Sequence, residues 1–170
     1  MDYHDNVWGV PEYEDQKLFE FLNLEGAQAG LSWYTVLIKK DNYQKAFSNW
    51  DAQKIVKYND KKIQSLLSNP GIIRNKLKVN AVITNAKVYL DLKASGTTLS
   101  DYLWNYTNGE PIVNNWKDMS EVPAATDLSN QISKDMKKLG FKFVGPTIIY
   151  AFMQAVGMVD DHMVSCWRRN

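Results

Sequence analysis

Apolar side chains recur at intervals of three and four along nearly the whole 170-residue chain. That period belongs to helices that bury one face, and it excludes most β architectures at the outset. Leu18, Phe19 and Leu22 form such a stripe behind Glu14 and Asp15, acids that suit a helix N-terminus. Tyr43, Ala46, Phe47 and Trp50 repeat it. Asp51 is positioned to cap a short helix with Ile55 and Val56, and Asp60 another with Ile63, Leu66 and Leu67. After the turn signal Ser68-Asn69-Pro70-Gly71, a long helix carries Val79, Val82, Ile83, Ala86, Tyr89 and Leu90. Ser100 begins a segment with Leu103 and Tyr106 that stops near Asn108-Gly109. Residues 110–126 contain two prolines and no period, and read as a connecting loop.

A further helical face, Leu128, Ile132, Met136 and Leu139, is closed by Gly140 in the C′ position. Residues 141–144 favour β structure but lack strand partners elsewhere. Pro146 stands where a first helical residue belongs, opening a helix through Ile149, Phe152 and Met153 to Gly157. Asp160 or Asp161 can cap a last turn carrying His162 and Cys166. The expectation is an all-α fold of about eight helices without a sheet.

Residues 1–170 suffice for one domain with a sizeable core. Charged residues at 23% with 45% hydrophobic residues argue against disorder. A net charge of +1 excludes a bulk polycation, so any nucleic-acid contact must use local positive patches and backbone N–H groups. Six Trp and nine Tyr serve equally as core filler and as stacking platforms for bases. The single Cys allows no intramolecular disulfide and fits a reducing compartment. The N-terminus lacks a basic-then-apolar signal and no long apolar run is present, so a cytoplasmic protein with no membrane association is expected.

Four stretches carry chemistry. In Leu67-Ser68-Asn69-Pro70-Gly71-Ile72-Ile73-Arg74, a tight turn ahead of a helix N-terminus would aim backbone N–H groups at a phosphate, with Arg74, Lys76 and Lys78 adding charge. A plain helix–helix connection is the alternative. In Leu24-Glu25-Gly26-Ala27-Gln28-Ala29-Gly30-Leu31-Ser32-Trp33, a carboxylate and an indole face one pocket if Glu25 ends one helix and Trp33 opens the next. A carboxylate suits a cationic or N–H-donating ligand, and an indole suits a flat cationic ring. Gly30 would let the backbone approach DNA and Leu31 could wedge into the gap left by a flipped nucleotide. The alternative is a surface Glu before a core Trp. At the start, Tyr3-His4-Asp5-Asn6-Val7-Trp8-Gly9-Val10-Pro11 places Tyr, His and Trp where they could line a pocket or form a loose tail. Near the end, His162 and Cys166 stand four apart, a spacing that allows a shared metal or merely a capped helix with a buried thiol.

Taken together, these stretches resemble the 3-methyladenine DNA glycosylase I family, from Tyr3 to Cys166. The matching segments are Tyr3-His4-Asp5-Asn6, Trp8-Gly9-Val10-Pro11, Leu24-Glu25-Gly26, Gln28-Ala29-Gly30-Leu31-Ser32-Trp33, Gly71-Ile72-Ile73-Arg74, Gly140-Phe141-Lys142-Phe143-Val144-Gly145, and Asp161-His162 with Cys166. The resemblance implies a helix-hairpin-helix glycosylase: a single domain of two helical lobes with the base pocket between them. It implies flipping of the damaged nucleotide out of double-stranded DNA. Glu25 would accept hydrogen bonds from the methylated adenine and act as the catalytic group, with Trp33 stacked on the base and Tyr3 and Trp8 as walls. Gly30, Leu31, Gly71, Ile72, Ile73 and Arg74 would contact DNA. Water would attack the sugar, releasing 3-methyladenine without a lyase step.

The resemblance further implies a structural zinc on His4, His162 and Cys166. The family's fourth ligand is a Cys upstream of the point where this sequence begins, so three protein ligands plus water or another group are expected here. A monomer is expected. Two competing functions predict different behaviour: a DNA-binding module that grips damaged duplex without freeing base, and a zinc-stabilised helical protein indifferent to duplex in a salt titration.

Overall fold

The computed structural model describes residues 9–161, the Trp33 side chain excepted; Tyr3, His4, Trp8, His162 and Cys166 lie outside the described residues. The fold is helical, with nine α-helices among the described residues: α1 (Asp15–Gln28), α2 (Trp33–Leu37), α3 (Lys40–Ala46), α4 (Ala52–Ile55), α5 (Asp60–Leu67), α6 (Lys76–Ala94), α7 (Leu99–Trp104), α8 (Asp127–Leu139) and α9 (Pro146–Ala155). One buried cluster runs through them from Leu18 to Val159.

Helix α1 is the centre. It is buried on nearly every side from Leu18 to Ala27, as a helix enclosed by others must be. It packs on α2, α6, α7 and α9, while α6 packs on α4 and α5, and α9 on α8. Because α1 has no wet face in this stretch, its polar residues need partners in other elements. Asp15 accepts from the N–H groups of Ser100 (2.7 Å) and Leu99 (3.3 Å), capping α7 across space, and from the Tyr89 hydroxyl. Asn23 gives its amide to the Phe19 carbonyl (2.8 Å) and accepts from Asn85 of α6 (3.1 Å). Asn85 also donates to the Lys142 carbonyl (3.1 Å) and accepts from the Lys142 N–H (2.7 Å). That amide pair clamps the turn after α8 onto α1. Gly26 completes the fit: a Cβ there would stand 3.0 Å from the Phe143 Cβ. The clamped turn leads into Gly145 and Pro146, which open α9.

The local signals hold at Asp51, whose carboxylate accepts from the Gln53 N–H, at Gly140, which ends α8 with φ +106°, and at Pro146. Three expectations are corrected. Asn59 rather than Asp60 caps α5, because Asn59 Oδ1 accepts from the Lys62 N–H. The stripe ending in Trp50 outruns its helix: α3 stops at Ala46, and Ser48, Asn49 and Trp50 take left-handed backbone angles that still bury the indole against Phe47. Spacing reports which side chains are buried, not the backbone path between them. A minimal sheet does exist, with Ile112–Val113 parallel to Val159–Asp160. Asp160 ends the second strand, and the turn that it or Asp161 was expected to cap lies outside the described residues. Asp161 directs its carboxylate to the side chains of Asn114, Trp116, Tyr150 and Gln154.

Candidate active site

Glu25 sits in the last turns of α1, 5% exposed. No ion pair or hydrogen bond to its carboxyl is present among the described residues, and burial alone pushes its pKa up to about 8. A buried carboxyl normally has such partners, so a lone one marks a site for a ligand that brings its own charge or donors.

The carboxyl opens onto a cleft of about 300 Å³ lined by Glu25, Gln28, Ala29, Gly30, Leu31, Thr147, Ile148 and Ala151. That size accommodates a small ring compound. One wall is the end of α1 and the loop after it; the other is the first half of α9. Sequence reasoning placed Glu25, Gly30 and Leu31 at one site, and the structure brings them together. The loop bends at Gly30 with φ +79°, and a Cβ there would meet nothing within 4 Å, so the backbone faces open space. Leu31 is 42% exposed at the rim. Ser32 caps α2 by accepting from the Thr35 N–H, so Trp33 opens that helix as expected. Its side chain lies outside the described residues.

The α9 wall of Thr147, Ile148 and Ala151 was not legible in the sequence. Pro146 announced a helix start, but nothing local says which face of that helix meets Glu25. The Asn85–Lys142 clamp decides it.

The hairpin between α5 and α6 is present, with a distribution of donors that differs from the expectation. The Gly71 N–H is taken by Asn69 Oδ1 (2.8 Å), the Ile72 N–H by the Asn69 carbonyl, and the Ile73 N–H by the Tyr43 hydroxyl (3.1 Å). Ile72 is buried and Gly71 packs within reach of Asn42. The outward donors lie slightly later: Arg74, Lys76 and Leu77 are exposed, and their N–H groups have no acceptor among the described residues. Lys78, expected to add charge near the turn, instead directs its ammonium to the carbonyls of Ala27 (2.9 Å) and Ala29 (2.6 Å).

Among the described residues no cluster of His, Cys, Asp and Glu could hold a metal, and no helix is long and apolar enough to cross a membrane.

A family profile described as methyladenine glycosylase matches residues 1–169. The chain belongs to that family. It is 48% identical over 166 residues to the DNA-3-methyladenine glycosylase of Haemophilus influenzae, covering 98% of this chain and 90% of that protein. Among solved structures, a 3-methyladenine DNA glycosylase I superposes with a TM-score of 0.97 at 43% identity, covering 99% of this chain and 93% of the other. The Staphylococcus aureus 3-methyladenine DNA glycosylase I, solved to show how 3-methyladenine is recognised, gives 0.96 at 36% identity over 99% and 90% of the two chains. This chain thus shares its overall helical fold with those two solved glycosylases.

Proposed function

We infer that this protein is a monofunctional DNA glycosylase that hydrolyses the N-glycosidic bond of 3-methyladenine in alkylated DNA, leaving an abasic site. The observation that carries the reading is a buried carboxyl with no counter-charge among the described residues, opening onto a cleft sized for one base.

Methylation at N3 leaves a purine with positive charge and a weak glycosidic bond. The protein need only stabilise the departing base and the developing charge on the sugar. Glu25 supplies charge complementarity that unmodified adenine does not match, in a site where low polarity strengthens it. Entry of a cationic ring favours the ionised carboxylate that burial disfavours in the empty cleft. The indole of Trp33 stacks on the ring, with Tyr3 and Trp8 as further walls. Leu31 fills the space vacated in the duplex, Gly30 allows backbone approach, and Gly71, Ile72, Ile73 and Arg74 form the turn that seats the strand. Phosphate contact comes from Arg74 and the open N–H groups at the start of α6. Water then attacks the sugar carbon as the base departs with the bonding electron pair.

The assay is release of free base from methylated duplex by the unaltered chain and by Glu25→Gln. The unaltered chain frees 3-methyladenine. The variant, which keeps the shape and loses the charge, slows release by about a hundredfold or more. Normal release by the variant removes Glu25 from this role.

Two imidazoles and a thiolate are a donor set that suits zinc, so His4, His162 and Cys166 are assigned a structural ion. The assignment is supported by the described flanks: Gly9 and Glu12 donate to the carbonyls of Ala155 and Val156, which sets the chain before Pro11 beside the chain after α9. Metal analysis should find zinc that Cys166→Ser loses. The frame is taken as one domain of two helical lobes, acting as a cytoplasmic monomer; the one buried cluster among the described residues supports a single domain, and the single Cys supports a reducing compartment.

A further inference from the structure

We propose that Lys78 is a positioning residue that couples the grip of the hairpin on DNA to the wedge loop and to Glu25. The proposal rests on the assignment of Leu31 as wedge and of Arg74 and the α6 N-terminus as phosphate contacts.

Lys78 occupies the first turn of α6, where its own N–H donates to the capping Asn75 (3.1 Å). A cation is poorly placed there, because the helix N-terminus is already positive. Burial lowers its pKa as well. Neighbouring Arg74 and Lys76 avoid both costs by staying exposed. Such a local conflict needs a compensating contact, and one is visible. The Lys78 ammonium donates to the carbonyls of Ala27 and Ala29 at the C-terminal end of α1, where the helix is negative.

The position of that contact matters. Ala27 lies two residues after Glu25, and Ala29 immediately precedes Gly30 and Leu31. The loop from α1 to α2 is otherwise held by its own short-range bonds, such as the Leu31 N–H to the Gln28 carbonyl (2.6 Å) and Ser32 to Thr35. Among the described residues, Lys78 is the only side chain from a distant element hydrogen-bonded to a carbonyl of residues 27–32. One side chain therefore ties the element that would hold phosphate to the element that would fill the duplex gap. Seating the backbone at α6 sets the height and angle at which Leu31 and Glu25 meet the flipped nucleotide.

Lys78→Met keeps the length and removes the charge and donors. The expected result is single-turnover base release slowed by about a hundredfold, the size of effect a small misplacement produces. Its duplex affinity and the salt slope of that affinity remain unaltered. Arg74→Ala and Lys76→Ala instead weaken duplex binding and flatten the slope. Lys78→Arg restores most of the release rate. In a cycle with Leu31→Ala, the double variant is no slower than the slower single variant, since both act through the same loop. Thermal melts check folding, and Lys78→Gln replaces the Met variant if that chain does not fold. Release at the unaltered rate by Lys78→Met overturns the proposal, as does a flattened salt slope, which would make Lys78 a phosphate contact. Additive losses in the cycle overturn it too. If Leu31→Ala releases base normally, the wedge reading itself fails and the proposal with it. A crippled Leu31→Ala beside an unimpaired Lys78→Met removes the proposal alone.

Discussion

Asn23 and Glu25 are two residues apart on α1 and equally buried, yet they are treated in opposite ways. Asn23 lies in a closed network with Phe19 and Asn85, which in turn grips Lys142. Glu25 has no such partner among the described residues, and its pKa rises because nothing offsets the loss of water. The first arrangement holds three segments in register. The second holds a carboxyl in reserve for a ligand. Paired burial at Asn23 builds the frame, and a shifted carboxyl on a cleft marks where the frame is used.

The sharpest way to test that contrast is pH. With a pKa near 8, Glu25 is mostly protonated in the free protein at neutral pH. The expected kcat/KM for base release, which reports the free enzyme, rises about tenfold per unit as pH increases towards 8 and then levels. Glu25→Gln should abolish the rise. A profile that is flat in the unaltered chain would separate the carboxyl from the chemistry.

Stability should divide the pair next. Asn85→Ala strands the buried Asn23 Oδ1 and takes the acceptor from the part-buried Lys142 N–H. The cost expected is about 2–3 kcal/mol, read as a fall in Tm. Base release below the transition should suffer less than in Glu25→Gln, because the carboxyl is intact.

An effect confined to high pH has the opposite sign. The Glu25 pKa is raised in the folded chain, so the native state holds its proton where the unfolded chain has lost it. Its contribution to stability is full below the unfolded value near 4.5 and declines as pH climbs towards 8. Glu25→Gln removes that decline. Its Tm at pH 9 should exceed that of the unaltered chain by roughly 10 °C, with no gain at pH 4.5. A lower Tm at pH 9 would mean the carboxylate is compensated after all.

Much of the frame was legible because helix signals are local. Asp51, Gly140 and Pro146 act on backbone groups within a few residues of themselves, so their types and spacing suffice. The stretch around Glu25, Gly30 and Leu31 was legible for a similar reason: a helix end, a turn and a helix start bring neighbouring residues to one rim. Other features were hidden because their partners are remote. Asp15 reads as a first-turn acid of its own helix but caps α7, more than eighty residues on. The inward path of Lys78 is invisible beside Arg74 and Lys76, which have the same charge. The pairing of Ile112–Val113 with Val159–Asp160 leaves no periodic trace in two residues.

Sequence alone determined the helical class, most helix ends and the carboxylate-bearing stretch beside a flexible turn, since period, capping and backbone freedom are properties of neighbours along the chain. Tertiary structure decided that Glu25 is buried with no counter-charge among the described residues, that α9 supplies the facing wall, and that Lys78 joins the hairpin to the wedge loop. Those outcomes depend on which distant groups exclude water from one another, and desolvation is set only when the helices have packed.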